Sequence, residues 1–356
     1  MRFLVIGNPE NRRYQFFTQA CERLGLDAPK IVSWSDLLNH KERLDLNFCD
    51  AVRVESTGEN YDVYAALVQR GGGAPISRGE YECGRIAGGK EWYSGWCSVL
   101  GEIDKQLTCD VPVLNHPADI ALMFDKLRCQ EYLSSRNVAV PKMIGQASSG
   151  QEVMELMELS NRGRVFVKAR HSSSASGVVA LQRSGNRVSA TTSVRMRNGY
   201  LYNSLKMQHY RSHDEVMGLL DVLCKEQVFV EQWFPKYMSE GRVLDFRVVI
   251  VRGEPAHIVA RESLSPITNL HLGNQRGDLN RLKESLMSST WQRMLETASV
   301  AAQQFVRSHY VAVDIMVGLD GEQVAVAEVN AFGDLLPNLL FNGMTTYEWE
   351  LSQWLP

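Results

Sequence analysis

The chain has 356 residues, of which 44% are hydrophobic and 22% charged, and its formal net charge is −3. This predicts a folded protein of two or three domains and argues against a nucleic-acid partner bound through bulk basicity. The seven cysteines show no C-x-x-C spacing, which favours reduced thiols over disulfides or a zinc site. Because the sequence shows neither a signal peptide nor an apolar run long enough for a membrane span, we expect a cytoplasmic protein.

The first 114 residues predict a small open-sheet α/β domain. Short apolar runs typical of strands lie at 3–6, 31–34 and 51–54. Apolar residues at helical spacing follow the first run and recur at 61–69. The stretch 71–96 is rich in Gly, Tyr and Trp and reads as a long loop, for which a functional role and disorder are equally open.

From Asn115 onward the pattern changes to short helices and well-separated strands. Helices are predicted at 118–124, 127–136 and 288–304. Strands are predicted at 164–168, 178–181, 228–231, 246–252, 311–317 and 324–329. A turn at 319–321 joins the last two strands, so we expect these two to pair.

The last two strands carry a set of oxygen ligands. Asp314 lies between apolar neighbours, and Glu328 and Asn330 stand two residues apart, so the latter two share one face of a strand. Two carboxylates and an amide oxygen suit Mg²⁺, with water and phosphate oxygens completing its shell. The alternative is a solvent-facing hairpin, although burying a lone charge beside apolar residues is costly unless a cation is present.

A lysine and a small-residue loop form a second candidate site. Lys168 ends an apolar strand, and the loop 171–177 that follows contains serines, an alanine and a glycine. Small side chains let backbone N–H groups close over phosphates, and the lysine adds a positive charge. The spacing excludes a Walker A P-loop, and a plain serine-rich hairpin is the alternative reading.

Two further segments have weaker patterns. The strand at 228–231 runs into Glu231 and three neighbours, which suits an adenine and ribose edge but is equally common in edge strands. Asp245 and Arg247 share a strand face, and Arg261 closes the next strand. Arginines there suit a phosphate or an anionic transition state, and a structural Asp–Arg ion pair is the alternative.

In chain order these segments resemble the motifs of the ATP-grasp superfamily, from about Asn115 to Phe332. They read N-x-P, D-K, V-K-A with a small-residue loop, V-E-Q, D-x-R, D-I and E-V-N. The segment 269–271 is similar to RimK-like carboxylate–amine ligases. The resemblance implies an α/β (α+β ATP-grasp) fold, in which an open parallel-sheet pre-ATP-grasp domain precedes two α+β subdomains that clamp ATP. The implied boundaries are 1–114, 115–230 and 231–356.

The resemblance also implies roles for individual residues. Those expected to bind ATP are Lys126, Lys168, Ser172, Ser173, Ser174, Ser176, Gly177, Glu231, Gln232, Trp233 and Phe234. Those expected to hold one or two Mg²⁺ ions are Asp314, Glu328 and Asn330. Those expected to face the transferred phosphate or acyl phosphate are Arg247, Arg261 and Asn269. We call the segment 172–177 the phosphate-covering loop.

The implied activity is ATP-dependent ligation of a carboxylate to an amine through an acyl phosphate. The expected partners are a small-molecule or peptide carboxylate and an amine acceptor, and a homodimer is the family-level expectation. A kinase that phosphorylates a hydroxyl and a non-catalytic nucleotide-binding protein are the alternatives. The chain departs from the RimK pattern after Asn330 and in the histidine that leads its loop. We expect 81–96 and the tail after Asn330 to shape the substrate pocket.

Overall fold

The computed structural model describes residues 1–107, 111–172 and 176–355. Within these residues the chain forms three β-sheets with helices packed against them. The α/β fold expected from the sequence is confirmed, since a parallel N-terminal sheet is followed by two antiparallel ones. In these ranges no helix is both long enough and apolar enough to cross a membrane.

The N-terminal part of the chain contains the small parallel sheet. Its strands are β1 (Phe3–Gly7), β2 (Lys30–Ser33) and β3 (Ala51–Val54), in the order β2-β1-β3. The helices around and after it are α1 (Arg12–Arg23), α2 (Trp34–Leu38), α3 (Tyr61–Arg70), α4 (Arg78–Glu82), α5 (Gly89–Gln106), α6 (Pro117–Phe124) and α7 (Lys126–Ser135). Every residue of β1 and β3 is buried, because parallel strands are usually covered on both faces.

Half of the stretch 71–96 is helical, so the prediction of one long loop there is wrong. It contains α4 and the start of α5, whose buried residues are Gly95, Trp96, Val99, Leu100 and Ile103. This spacing is that of one helical face packed on a core. A Cβ atom at Gly95 would lie 1.9 Å from the carbonyl oxygen of Leu67 in α3. Gly95 therefore reflects close helix packing, which composition alone does not distinguish from a loop.

The central part of the chain forms an antiparallel sheet. Its strands are β4 (Met143–Ala147), β5 (Arg164–Ala169), β6 (Val178–Ser184), β7 (Arg187–Arg197), β8 (Tyr200–Tyr210) and β9 (Val228–Gln232), in the order β4-β9-β5-β6-β7-β8. Helices α8 (Gly150–Leu159) and α9 (His213–Leu223) pack against it. Strand β9 runs across residues 230 and 231, and the division of the chain there stays a prediction.

The C-terminal part of the chain forms the second antiparallel sheet. Its strands are β10 (Met238–Ser239), β11 (Arg242–Val251), β12 (Glu254–Ser263), β13 (Gln275–Arg276), β14 (Tyr310–Val317) and β15 (Val324–Asn330), and the main order is β13-β12-β11-β14-β15. Its helices are α10 (Leu279–Ser285), α11 (Ser288–Gln303) and α12 (Thr346–Trp354). Helix α12 contacts both α1 and β11, so it connects this sheet to the N-terminal part.

Candidate active site

A cleft of about 920 Å³ lies where the three sheets meet. The predicted site residues in its lining are Lys126, Lys168, Ser172, Glu231, Phe234, Arg247, Arg261, Asn269, Asp314, Glu328 and Asn330. Lys126 and Glu328 are 202 residues apart in the sequence, yet their side chains are in direct contact. The fold therefore brings most of the predicted residues to one place.

The oxygen-ligand set lies on two neighbouring strands. Asp314 on β14 is directly opposite Glu328 on β15, and Asn330 is opposite Ala312. On the other side of β14, Arg247 of β11 is opposite Asp314. The predicted pairing of the last two strands is thus confirmed, and one row across three strands holds a guanidinium group and two carboxylates.

Asp314 is bound by two arginines. Arg247 donates from Nε to Oδ1 at 2.6 Å and from Nη2 to Oδ2 at 2.8 Å, and Arg261 donates from Nη1 to Oδ2 at 3.1 Å. Burial by itself would raise the pKa of Asp314, but the two guanidinium groups outweigh it and hold this pKa well below its usual value. Asp314 is therefore ionised at neutral pH.

Each of these arginines also binds a second carboxylate. Arg247 donates from Nη1 to Asp334 at 2.7 Å, and Arg261 donates from Nε to Asp245 at 2.7 Å. The ion pair that the sequence left open between Asp245 and Arg247 is instead formed between Asp245 and Arg261. Because bidentate and multiple charge-assisted bonds fix a guanidinium group, both arginines are oriented before any substrate arrives.

Among the lining residues that were not identified from the sequence, Lys236, Thr268 and Asp334 contact Asp245 or Arg247. Lys236 donates to Asp245 at 3.0 Å and to the hydroxyl of Thr268 at 2.6 Å, and Thr268 also donates to Asp245. Burial lowers the pKa of Lys236, and Asp245 offsets part of that effect. These residues belong to no motif, so only the fold reveals them.

The two predicted phosphate-binding lysines are paired with carboxylates. Lys126 contacts Glu328, and the Nζ atom of Lys168 lies 2.5 Å from Oε1 of Glu231. The other oxygen of Glu231 accepts a hydrogen bond from Gln130 at 2.7 Å. Lys168 and Glu231 lie on the neighbouring strands β5 and β9. A phosphate group that enters the cleft would be, like these carboxylates, an anionic partner for each lysine.

Some predicted nucleotide-binding residues lie outside the lining of the cleft. Among the described residues these are Gln232, Trp233, Ser176 and Gly177. Ser173 and Ser174 fall outside the described residues. The Trp233 ring packs 4.8 Å from the ring of Phe166, which does line the cleft. The roles of these residues stay predictions.

The N-terminal sheet supplies one wall of the cleft. Its lining residues are Asn8, Glu10, Asn11, Arg12, Arg13, Ser56, Gly58, Glu59 and Asn60. They follow the carboxyl ends of β1 and β3, where open parallel sheets bind their ligands. The carboxyl ends of the predicted strands at 3–6 and 51–54 were the signal in the sequence that could have identified these residues. None of the residues 81–96 lines the cleft, and their expected contribution to the substrate pocket stays a prediction.

The residues present fit a Mg²⁺ ion that is shared with a nucleotide. Glu328 and Asn330 offer hard oxygen ligands on β15, whereas both oxygens of the neighbouring Asp314 on β14 accept hydrogen bonds from arginines. Within the described residues no group of three or more His, Cys, Asp or Glu side chains gathers as a metal site, so the set depends on the amide oxygen of Asn330. An ion that completes its shell with phosphate oxygens needs only such a partial set.

A family model described as YheC/D like ATP-grasp matches residues 117–328. No curated protein sequence matches. The solved structure of D-alanine--D-alanine ligase from Bacillus anthracis complexed with ATP is 15% identical, over 99% of this chain and 95% of that chain, with a TM-score of 0.53. Macrocyclase MdnC from Microcystis aeruginosa MRC, bound with precursor peptide MdnA, is 13% identical, over 100% and 99%, with a TM-score of 0.55. D-cycloserine synthetase DcsG is 11% identical, over 100% of both chains, with a TM-score of 0.56.

At these identities the solved structures show a shared fold and no more. None of the comparisons tests the RimK-like branch, which stays a prediction. The superfamily resemblance is confirmed, because the family model covers more than half of the chain and spans the motifs from α6 to Glu328. The chain belongs to the YheC/D-like ATP-grasp family.

Proposed function

We propose that the chain is an ATP-dependent ligase, which joins a carboxylate to an amine through an acyl phosphate and releases ADP and phosphate. The observation that supports this most is the cleft between the three sheets, where lysines and arginines face an oxygen-ligand set. Phosphoryl transfer depends mostly on positioning and electrostatic stabilisation, and these side chains supply both.

Lys126 and Lys168 bind the ATP phosphates in this proposal. Both Nζ atoms contact carboxylates, of Glu328 and Glu231 respectively. Because an ammonium group has three donors, each lysine can bind a phosphate oxygen and keep its carboxylate partner. Glu231 and Phe234 then border the base and ribose.

Arg247, Arg261 and Asn269 face the end of the cleft where the acyl phosphate forms. The two guanidinium groups are held by Asp314, and each has a second carboxylate partner. Donors that are fixed before the reaction stabilise developing charge without reorganising. Mg²⁺, as one or two ions at the oxygen-ligand set, supplies charge neutralisation to the transferred phosphate.

The N-terminal wall of the cleft holds the substrate pair. Its side chains include acidic, basic and amide groups, which suit a molecule with both a carboxylate and an amine. Solved relatives with the same fold include a D-alanine--D-alanine ligase and a macrocyclase bound with a precursor peptide. We therefore propose amino acids and peptides as the first substrates to examine.

Trapping with hydroxylamine tests the proposed reaction. Amino acids and peptides are first screened with Mg-ATP for stimulated ADP release. The stimulating substrate is then incubated with hydroxylamine, which attacks an acyl phosphate and gives a hydroxamate that mass spectrometry detects. We expect a hydroxamate in amounts matching the ADP released.

Two other outcomes would contradict the proposal. A phosphorylated hydroxyl with no hydroxamate identifies a kinase. Binding of Mg-ATP without ADP release in the presence of any amino acid or peptide of the screen favours a non-catalytic nucleotide-binding protein. Glu328→Ala is the control, because it removes one of the proposed Mg²⁺ ligands and should release no ADP.

A further inference from the structure

We propose that Tyr93 is a positioning residue for the start of the phosphate-covering loop, because it holds His171 through a ring stack. The inference rests on the proposed nucleotide-binding function and goes beyond it, because neither ring lines the cleft. His171 directly precedes the loop, and its ring also interacts with the backbone of Phe124 and the side chain of Gln227.

The two rings are nearly parallel and in contact. Their centroids are 4.0 Å apart and their planes differ by 10°. The Tyr93 hydroxyl donates a hydrogen bond to the carbonyl of Ala121 at 2.9 Å, so the tyrosine itself is fixed by α6. Burial lowers the pKa of His171 to about 4, although Asp125 acts in the opposite direction, and the imidazole is neutral at pH 7. The stack is therefore between two neutral rings.

The residue before His171 is anchored to the predicted phosphate-binding lysine. Arg170 donates two hydrogen bonds of 2.7 Å to the buried carboxylate of Asp125. The backbone N–H of Lys126 donates to the carbonyl of Arg170 at 3.2 Å. The start of the loop, Lys126 and the Tyr93 ring thus form one connected unit. A shift of His171 therefore changes the position of Ser172, the first residue of the loop, relative to that lysine.

The segment 84–89, just before Tyr93, also binds the central sheet. Two backbone hydrogen bonds join it to β8, from Ile86 to Leu201 at 2.8 Å and from Asn203 to Gly84 at 2.7 Å. Strand β8 is the last in the order of its sheet, so the segment covers a sheet edge. One turn before Tyr93, the N–H of Gly89 donates to Glu226 at 3.0 Å. The central sheet and its loop are therefore tied to the N-terminal part at several points.

A purely structural role for Tyr93 predicts a different behaviour from a positioning role. Loss of packing alone lowers the free energy of unfolding and leaves the nucleotide affinity of the folded protein unchanged. Loss of positioning weakens nucleotide binding in protein that is fully folded. The affinity for AMPPNP with Mg²⁺, measured by calorimetry on folded protein, separates the two and requires no acceptor substrate.

The test compares Tyr93→Leu with Tyr93→Phe, which keeps the stack and loses only the hydroxyl. An aromatic pair contributes about 0.5–1.5 kcal/mol, which corresponds to a weakening of about 2- to 13-fold for the leucine variant. We expect the phenylalanine variant to bind within about twofold of the wild type. Tyr14→Leu is the matched control, because Tyr14 is also half-buried and its hydroxyl also donates to a carbonyl, that of Pro29.

A second pair of variants approaches the stack from the other ring. His171→Ala should weaken AMPPNP binding as Tyr93→Leu does, and His171→Phe should restore it. Combining Tyr93→Leu with His171→Ala should add little, because both remove the same contact. Faster amide hydrogen exchange at Ser172 and Gly177 in the weakened variants would place the effect in the loop.

The outcomes separate this inference from the proposed function. Equal AMPPNP affinity of the wild type, Tyr93→Leu and His171→Ala overturns the inference and leaves the proposed function intact. Additive losses in the double variant also overturn it. A wild-type protein that binds no AMPPNP overturns both. If Tyr93→Leu does not fold, His171→Ala decides the question, because it removes the stack and keeps the tyrosine in place.

Discussion

At the scale of single residues, Lys168 and Lys236 each contact a carboxylate that is more buried than the lysine itself, whereas the Glu328 carboxylate at Lys126 is more exposed than its lysine. Glu231 is 3% exposed, and Lys168 and Gln130 bind its two oxygens. A lysine that only bound phosphate would be needed for turnover but not for the fold. Lys168 is also needed for the fold, because without it the buried carboxylate of Glu231 loses its cation. Breaking such a pair costs about 3–5 kcal/mol.

We therefore expect Lys168→Ala to lose both ATP turnover and stability. The double variant Lys168→Ala/Glu231→Gln should regain most of the stability, because a neutral amide replaces the unpaired carboxylate, and should stay inactive. Urea unfolding and ADP release measure the two effects. A single variant as stable as the wild type would show that water reaches Glu231 once the lysine is gone.

The sequence predicted the charged residues of the cleft where they belong to a motif and missed them elsewhere. Asp314 and Glu328 stand in short strands whose pattern is recognisable, whereas Lys236 and Asp334 lie in irregular segments. Their positions depend on contacts with Asp245, which is 9 residues from Lys236, and with Arg247, which is 87 residues from Asp334. Such partners follow from strand register, which single-sequence patterns do not give.

At the scale of elements, the turn between β5 and β6 depends on Gly177. Its φ is +66°, and a Cβ atom there would lie 2.7 Å from the Cβ of Ala169. Gly185, between β6 and β7, is a matched position, since its φ is +57° and nothing lies within 4 Å. Both positions need the left-handed conformation that glycine adopts readily, and only the first is also crowded.

Gly177→Ala should therefore cost more stability than Gly185→Ala. The left-handed conformation costs about 1–2 kcal/mol in both variants. Crowding against Ala169 adds about 1–3 kcal/mol in the first. We also expect only Gly177→Ala to raise KM for ATP, because it ends the phosphate-covering loop. Thermal unfolding and steady-state kinetics check both statements, and equal melting temperatures would contradict the crowding.

Strands with continuous apolar runs were predictable, and half-polar elements were not. β1, β3 and β14 are buried along their whole length and stand out in the sequence. Strands β7 and β8 were not predicted, because Ser, Thr, Asn and Arg interrupt their apolar residues. The helices α4 and α5 were not predicted because both contain glycines, of which Gly95 serves the packing of α5 on α3.

At the scale of the whole molecule, a buried charge cluster joins the N-terminal sheet to α12. Arg53 of β3 is fully buried and contacts Glu55 at 2.7 Å and Glu350 at 3.0 Å. The rings of Tyr310 and Tyr347 lie 4.5 Å from its guanidinium carbon. Burial raises the pKa of Glu350 to about 7, even though Arg53 acts in the opposite direction.

This pKa predicts a pH-dependent stability. Between pH 4.5, the ordinary pKa of glutamate, and about 7, folded Glu350 retains a proton that the unfolded chain loses. The free energy of unfolding therefore falls as the pH rises through this window. Glu350→Gln cannot lose the proton, so its stability should fall less steeply. Urea unfolding from pH 4.5 to 7.5 measures both slopes, and identical slopes would show that Glu350 keeps an ordinary pKa.

A crystal structure with Mg²⁺ and AMPPNP would show whether the nucleotide binds in the three-sheet cleft. We expect phosphate oxygens within hydrogen-bonding distance of Lys126 and Lys168. We also expect a metal ion bound by Glu328 and Asn330, with Asp314 beside it. A nucleotide bound elsewhere on the protein, or phosphates that contact neither lysine, would rule out the cleft as the ATP site.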